Sequence, residues 1–92
     1  ADDVFTSWGT ETGNAFTKDK LKAIFDKFEQ ESKGTILRSK GIVKDAESDQ
    51  WIYFDYVPGQ FDIRMGNPDY TGKVVVIAAG YTEDELEEIF LG

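Results

Sequence analysis

Residues 35–43 constrain the fold most, because they place two basic residues and a glycine inside an otherwise apolar β-strand pattern. Successive side chains of a strand point to opposite faces of the sheet. One face is therefore expected to carry Ile36, Arg38, Lys40 and Ile42, and the other Leu37, Ser39, Gly41 and Val43. A glycine within a strand weakens it and usually makes room for a neighbouring group. The pairing of Arg38 with Lys40 on one face indicates a role beyond packing.

The composition limits both the size of the fold and its chemistry. The chain has 92 residues, of which 40% are hydrophobic and 14% aromatic, and this is typical of one small globular domain. It contains no cysteine and no histidine, so a transition-metal site would lack its preferred ligands and Ser-His-Asp or Cys-His catalysis is excluded. The net charge of −8 argues against nucleic-acid binding. No apolar run is long enough for a membrane span, and we expect a cytoplasmic protein.

The charge is distributed unevenly along the chain. Residues 18–44 contain eight basic and four acidic residues, whereas residues 45–92 contain two basic and eleven acidic residues. Such an asymmetry usually describes two solvated faces. The alternative is a polarised surface that orients a partner.

Hydrophobic periodicity and turn residues predict five strands and two helices in the order β-α-β-β-β-β-α. The strands are predicted at residues 4–8, 35–44, 51–57, 60–65 and 74–79, and the first helix at residues 18–32. Thr17 is expected to cap this helix and Gly34 to end it. Thr82 and Glu85 are expected to form a capping box for the second helix. Residues 9–15 are predicted as a loop, and the continuous apolar run 74–79 predicts a strand that is buried on both faces.

The predicted turns set the register of the central strands. With residues 45–50 as a loop and Pro58-Gly59 as a two-residue turn, Lys40 faces Asp55, and Gly41 leaves space for the ring of Phe54. One sheet face then collects the apolar residues Leu37, Val43, Ile52, Phe54, Tyr56, Phe61, Ile63 and Met65. The other face collects the candidate interface residues Arg38, Lys40, Trp51, Tyr53, Asp55, Asp62 and Arg64. The predicted fold is an α+β two-layer sandwich, with a mostly antiparallel sheet of about five strands and two helices on one face.

Three local patterns suggest chemistry, and each has a structural interpretation that we prefer. Gly72-Lys73 matches the end of a phosphate-binding loop, but the hydroxyl residue that binds magnesium is missing, so no nucleotide site is predicted. Asp55 and Asp62 are expected to be cross-strand neighbours and could form a catalytic carboxylate pair, although the basic residues of the same face would neutralise them. The acidic residues 83–88 fit the start and the solvated face of a helix better than a calcium loop.

The segment Ile36-Leu37-Arg38-Ser39-Lys40-Gly41-Ile42 resembles the R-x-K-G signature of the C-terminal domain of CobW-type GTPases, which are cobalamin-synthesis and metallochaperone proteins. Residues 5–8 resemble the opening strand of that domain, residues 51–63 its central hairpin, and residues 74–90 its closing strand and helix. The resemblance covers nearly the whole chain. It implies that residues 1–92 form a single CobW C-terminal-like domain, excised from a longer GTPase.

The resemblance also implies where the chemistry of the parent protein lies. In this family the phosphate loop, the magnesium ligands and the cysteine-containing metal motif belong to the N-terminal GTPase domain. The parent would use GTP and magnesium in delivering a metal such as zinc or cobalt, or in cobalamin biosynthesis. This chain would be its non-catalytic accessory domain, with no cofactor of its own. Its partners would be the GTPase domain and a metal-receiving client protein, with no nucleic acid and no membrane.

Two other interpretations stay open at this point. The chain could be a free-standing small protein-binding module of related fold, which a start codon at its beginning would support. It could also be a small enzyme that uses carboxylates. Under the accessory-domain interpretation, we expect the isolated chain neither to bind nor to hydrolyse GTP, and to bind zinc and cobalt only weakly. Calorimetric titration can check both expectations.

Overall fold

A sheet of six strands and two helices form the part of the chain that the computed structural model describes, residues 5–30 and 34–91. The elements are β1 (Phe5–Thr12), β2 (Ala15–Phe16), α1 (Lys18–Gln30), β3 (Thr35–Asp45), β4 (Trp51–Val57), β5 (Gln60–Gly66), β6 (Gly72–Ala79) and α2 (Glu83–Leu91). The strands lie in the order β1-β6-β3-β4-β5, with every neighbouring pair antiparallel, and β2 pairs parallel with the end of β3. The predicted α+β sandwich is confirmed.

One apolar cluster joins both helices to a single face of the sheet. α1 buries Leu21, Ile24, Phe25 and Phe28, which have the spacing of one helix face, and α2 buries Leu86 and Phe90. These side chains pack with the sheet residues Trp8, Ile36, Val43, Ile52, Phe54, Tyr56, Val74, Val76 and Ala78. We call the opposite side of the sheet the open face. Its side chains include Phe5, Glu11, Arg38, Lys40, Ile42, Lys44, Tyr53, Asp55, Asp62, Arg64, Lys73, Val75 and Ile77.

Side-chain caps start both helices where the sequence predicts them. The backbone N–H of Lys20 donates to Thr17 Oγ1 at 3.0 Å. At α2 the N–H of Glu85 donates to Thr82 Oγ1 at 3.2 Å, and Glu85 Oε1 accepts from the N–H of Thr82 at 2.9 Å. α1 is described to Gln30, so the predicted final turn of this helix lies outside the described residues. Gly34 lies close to the end of β6, because a Cβ at this glycine would meet the backbone oxygen of Ala79.

The register of the central strands agrees with the predicted one, with Lys40 opposite Asp55. Gly41 lies opposite Phe54, and a Cβ at this glycine would stand only 2.7 Å from the Phe54 ring. Gly59 has a φ of 81°, the positive value that the second central residue of a type II turn requires. A type II turn is unusual in a two-residue hairpin, but the apolar face of β4 and β5 holds the register in spite of it.

A β-bulge at the start of β3 overturns one part of the predicted alternation. Ile36 pairs with Ala78, and the next pair is Arg38 with Ile77, so Leu37 is an extra residue in β3. Ile36 is consequently 2% exposed in the core, whereas Leu37 is 37% exposed. The prediction that Leu37 faces the helices and Ile36 faces away is therefore wrong. From Arg38 onward the predicted alternation holds.

The prediction that β6 is buried on both faces is also wrong. Its alternate residues Val74, Val76 and Ala78 are buried beneath the helices, but Val75 and Ile77 are each 39% exposed. The physical reason is that the domain has two layers, the sheet and the pair of helices, so no helix packs on the second face of the sheet. The apolar run thus contributes a core stripe on one side and an exposed aliphatic stripe on the other.

The remaining differences concern the edges of the sheet. β1 extends to Thr12 and β6 begins at Gly72, because these two strands pair over eight residues. The short strand β2 begins at Ala15, the last residue of the predicted loop. Phe61 was expected in the core, yet it is 40% exposed even though its ring centre lies 5.1 Å from that of Phe25. Phe61 belongs to the edge strand β5, which has no further strand beyond it to cover the side chain.

Candidate interaction surface

Six of the seven candidate interface residues lie together on the open face as exposed or half-buried side chains. They are Arg38, Lys40, Tyr53, Asp55, Asp62 and Arg64. Adjacent strands place them in rows, because directly paired residues point to the same side of a sheet. The row through the centre runs from Val75 through Lys40 and Asp55 to Asp62.

The strongest polar contact of the open face joins Arg38 to Asp55. Arg38 Nη2 donates to Asp55 Oδ2 at 2.9 Å, and Arg38 Nε donates to Asp55 Oδ1 at 3.3 Å, so the carboxylate is held at both oxygens. The hydrogen bond to Asp55, followed by the carboxylate charge, raises the pKa of Arg38 above its ordinary value. Asp55 had been expected to pair with Lys40. Lys40 does lie opposite Asp55, but the diagonal arginine takes the carboxylate.

The second carboxylate of the open face is held within its own strand. Arg64 Nε lies 3.1 Å from Asp62 Oδ2, and both side chains are largely exposed. Asp55 and Asp62 are cross-strand neighbours as predicted. Each of them has its own arginine, so the two carboxylates are separately neutralised.

The two aromatic residues that were assigned to this surface have different surroundings. Trp51 is only 7% exposed, so it offers little area to a partner. The ammonium group of Lys44 lies 6.0 Å from the centre of the Trp51 ring. Tyr53 is half-buried, and its hydroxyl donates to the backbone oxygen of Asn67 at 2.7 Å. This hydrogen bond holds the start of the loop between β5 and β6 against the sheet.

The sequence interpretation missed the aliphatic part of the open face. Val75 and Ile77 line a depression of ≈ 210 Å³ together with Arg38 and Lys40. A second depression of ≈ 300 Å³ adjoins it and also contains Lys40 and Val75. The signal was present in the apolar run of β6, but that run was interpreted as a strand buried on both sides. The surface therefore combines exposed aliphatic side chains on β6 with charged side chains on β3, β4 and β5, a mixture that is also found in protein interfaces.

Metal sites and membrane spans are two other features that bear on function in the described ranges. Within residues 5–30 and 34–91, no three acidic side chains lie close enough together to hold one metal ion. In the same ranges, no helix is both long enough and apolar enough to cross a bilayer. The open face is thus the feature of the described residues that calls for a functional explanation.

The fold and this surface define a two-layer α+β domain in which no described element covers one face of the sheet. The family profile of the cobalamin synthesis protein cobW C-terminal domain matches residues 5–92. The chain belongs to this family. No curated protein gives a significant match to the chain.

Two solved structures have the same fold. The zinc-bound YjiA GTPase from E. coli superposes with a TM-score of 0.74 at 19% sequence identity. A zinc-bound triple mutant of YjiA superposes with a TM-score of 0.75, also at 19% identity. In both cases the likeness covers 94% of this chain and 28% of the solved chain. The chain therefore spans less than a third of the length of the GTPases that share its fold.

Proposed function

We propose that this chain is a non-catalytic accessory domain of a CobW-type GTPase, and that it docks onto the GTPase domain of the parent protein through the open face. Membership of the family of cobW C-terminal domains supports the accessory role. The GTPases that share the fold are much longer than this chain, which fits a domain that works beside another one.

One observation carries the docking part of the proposal. Val75 and Ile77 are 39% exposed in neighbouring positions of a central strand, where a folded protein usually buries aliphatic side chains. The two helices pack on the opposite face of the sheet, and no described element covers these side chains, so a second polypeptide surface would bury them. A contiguous apolar surface with a polar rim commonly marks such a contact.

The same proposal places the chemistry of the parent protein outside this chain. GTP, magnesium and the delivered metal, zinc or cobalt, belong to the GTPase domain, and the pathway is metal delivery or cobalamin biosynthesis in the cytoplasm. The zinc bound in the two solved GTPases is in keeping with a metal-handling parent. This chain supplies a docking surface, and a metal-receiving client protein is its second partner.

Serine substitutions on β6 test the docking. The parent protein is cleaved at a protease site placed between its domains, and the affinity of the two parts is measured by analytical ultracentrifugation. The double variant Val75→Ser/Ile77→Ser is expected to weaken the association about tenfold or more, because it removes apolar area that the complex buries. Ala23→Ser, on the exposed side of α1, is the control and should leave the affinity unchanged. An unchanged affinity of the double variant would contradict the proposed surface.

A further inference from the structure

Lys40 is a charged group in the middle of the open face that has no ion pair with the residues the structure describes. Its direct neighbour on β4 is Asp55, but both oxygens of that carboxylate bind Arg38. Its direct neighbour on β6 is Val75. No ion pair joins Lys40 to another of the residues that the structure describes.

Three other cations of the open face have acidic neighbours, whereas Lys44, near the end of β3, has its ammonium group 6.0 Å from the centre of the Trp51 ring. Arg38 binds Asp55, and Arg64 binds Asp62. Lys73 has Glu11 directly opposite it on β1. Lys40 is therefore the cation in the middle of the sheet that has no ion pair among the described residues.

The exposed aliphatic side chains of β6 lie beside this same lysine. Val75 and Ile77 line one depression with Lys40, so a surface that covers them also removes water from the ammonium group. An ammonium group buried without a counter-charge is strongly destabilising. The gain from two half-exposed aliphatic side chains does not offset that penalty. Docking on the open face thus requires an acceptor for Lys40 on the other side.

We propose that the docking surface of the GTPase domain carries a carboxylate, set among aliphatic residues, that binds Nζ of Lys40. This inference rests on the proposed function, because it specifies the partner surface for the same open face. Charge complementarity fixes the choice of group: the positive charge left unmatched at the centre of the face calls for a negative one opposite. The aliphatic surroundings favour a protein surface over a small anion.

The sign of the effect of Lys40→Met on docking tests the inference. Methionine matches the length of the apolar stem of lysine and lacks the charged ammonium group. If the partner has a carboxylate at this place, the variant leaves that carboxylate buried and unpaired, and the dissociation constant should rise at least about 30-fold. If the partner surface is neutral there, the variant removes only a desolvation penalty, and docking should tighten.

The experiment uses the cleaved parent protein, and three controls separate the possible failures. Lys22→Met, on the exposed side of α1, should change the dissociation constant less than about twofold. Lys40→Arg, which keeps the charge, should restore most of the affinity that Lys40→Met loses. Lys40→Met should also leave the stability of the isolated chain unchanged.

Each outcome decides between the two proposals. Unchanged or tighter docking of Lys40→Met, together with weakened docking of Val75→Ser/Ile77→Ser, overturns the carboxylate and keeps the proposed function. Unchanged docking of all these variants, or no association of the wild-type parts, overturns both. A dimer of the isolated chain that Lys40→Met disrupts would also overturn the inference, because the open face would then bind a second copy.

Discussion

Replacing Phe25 by alanine is expected to lower the free energy of unfolding of the isolated chain by about 3–5 kcal/mol. The Phe25 ring is 1% exposed, and its centre lies 5.1 Å from that of Tyr56 and 5.7 Å from that of Phe54. It also contacts Phe28 on the same helix and Phe61 on the edge strand. These rings belong to both the helix layer and the sheet. Because both layers are closely packed, the structure cannot close the cavity that the smaller side chain leaves.

The measurement is urea denaturation followed by far-ultraviolet circular dichroism. A domain of this size has a total stability of about 5–15 kcal/mol, so the variant should lose a large part of it. Phe5→Ala is the matched control, because that ring is 58% exposed and should contribute little. A loss below about 1 kcal/mol for Phe25→Ala would mean that α1 does not pack on the sheet as described.

The second large loss of stability is expected for substitution of Ile36, whereas substitution of the adjacent Leu37 should have a small effect. Ile36→Ala should cost about 2–5 kcal/mol, because the side chain is 2% exposed within the core cluster. Leu37→Ala should cost less than about 1 kcal/mol, because Leu37 is the bulged residue and is 37% exposed. The same denaturation assay compares the two variants. The reverse order of losses would place Leu37 beneath the helices and remove the bulge.

The position of the bulge explains why sequence reasoning assigned these two residues to the wrong faces. Ile36 and Leu37 are adjacent and both apolar, so either one satisfies an alternating pattern with one face buried. One extra residue reverses the alternation on its N-terminal side only. The turn at Pro58-Gly59 and the loop at residues 45–50 fixed the rest of the register, and those pairings were predictable.

The charged part of the open face could be predicted because it depends on the register of the central strands. The aliphatic part of the open face could not be predicted. Arg38 and Lys40 follow the bulge, where the alternation is regular. Val75 and Ile77 lie in an unbroken apolar run, which gives no periodicity to show that one face lacks a covering layer. Asp55 binds Arg38, its diagonal neighbour on β3, although Lys40 lies directly opposite. Which of the two side chains binds the carboxylate depends on side-chain geometry, and the register alone does not determine it. That choice is what leaves Lys40 free for a partner.

Hydroxyl-radical footprinting of the intact parent protein tests docking through the open face most directly. The reactivities of Ile77 and Val75 are compared between the parent and the isolated chain. Phe61, which is 40% exposed on the helix side of the edge strand, serves as the internal reference. If the open face docks onto the GTPase domain, Ile77 and Val75 should be several-fold less reactive in the parent, while Phe61 reacts equally in both. Equal reactivity of Ile77 and Val75 in the two proteins would contradict the proposed docking.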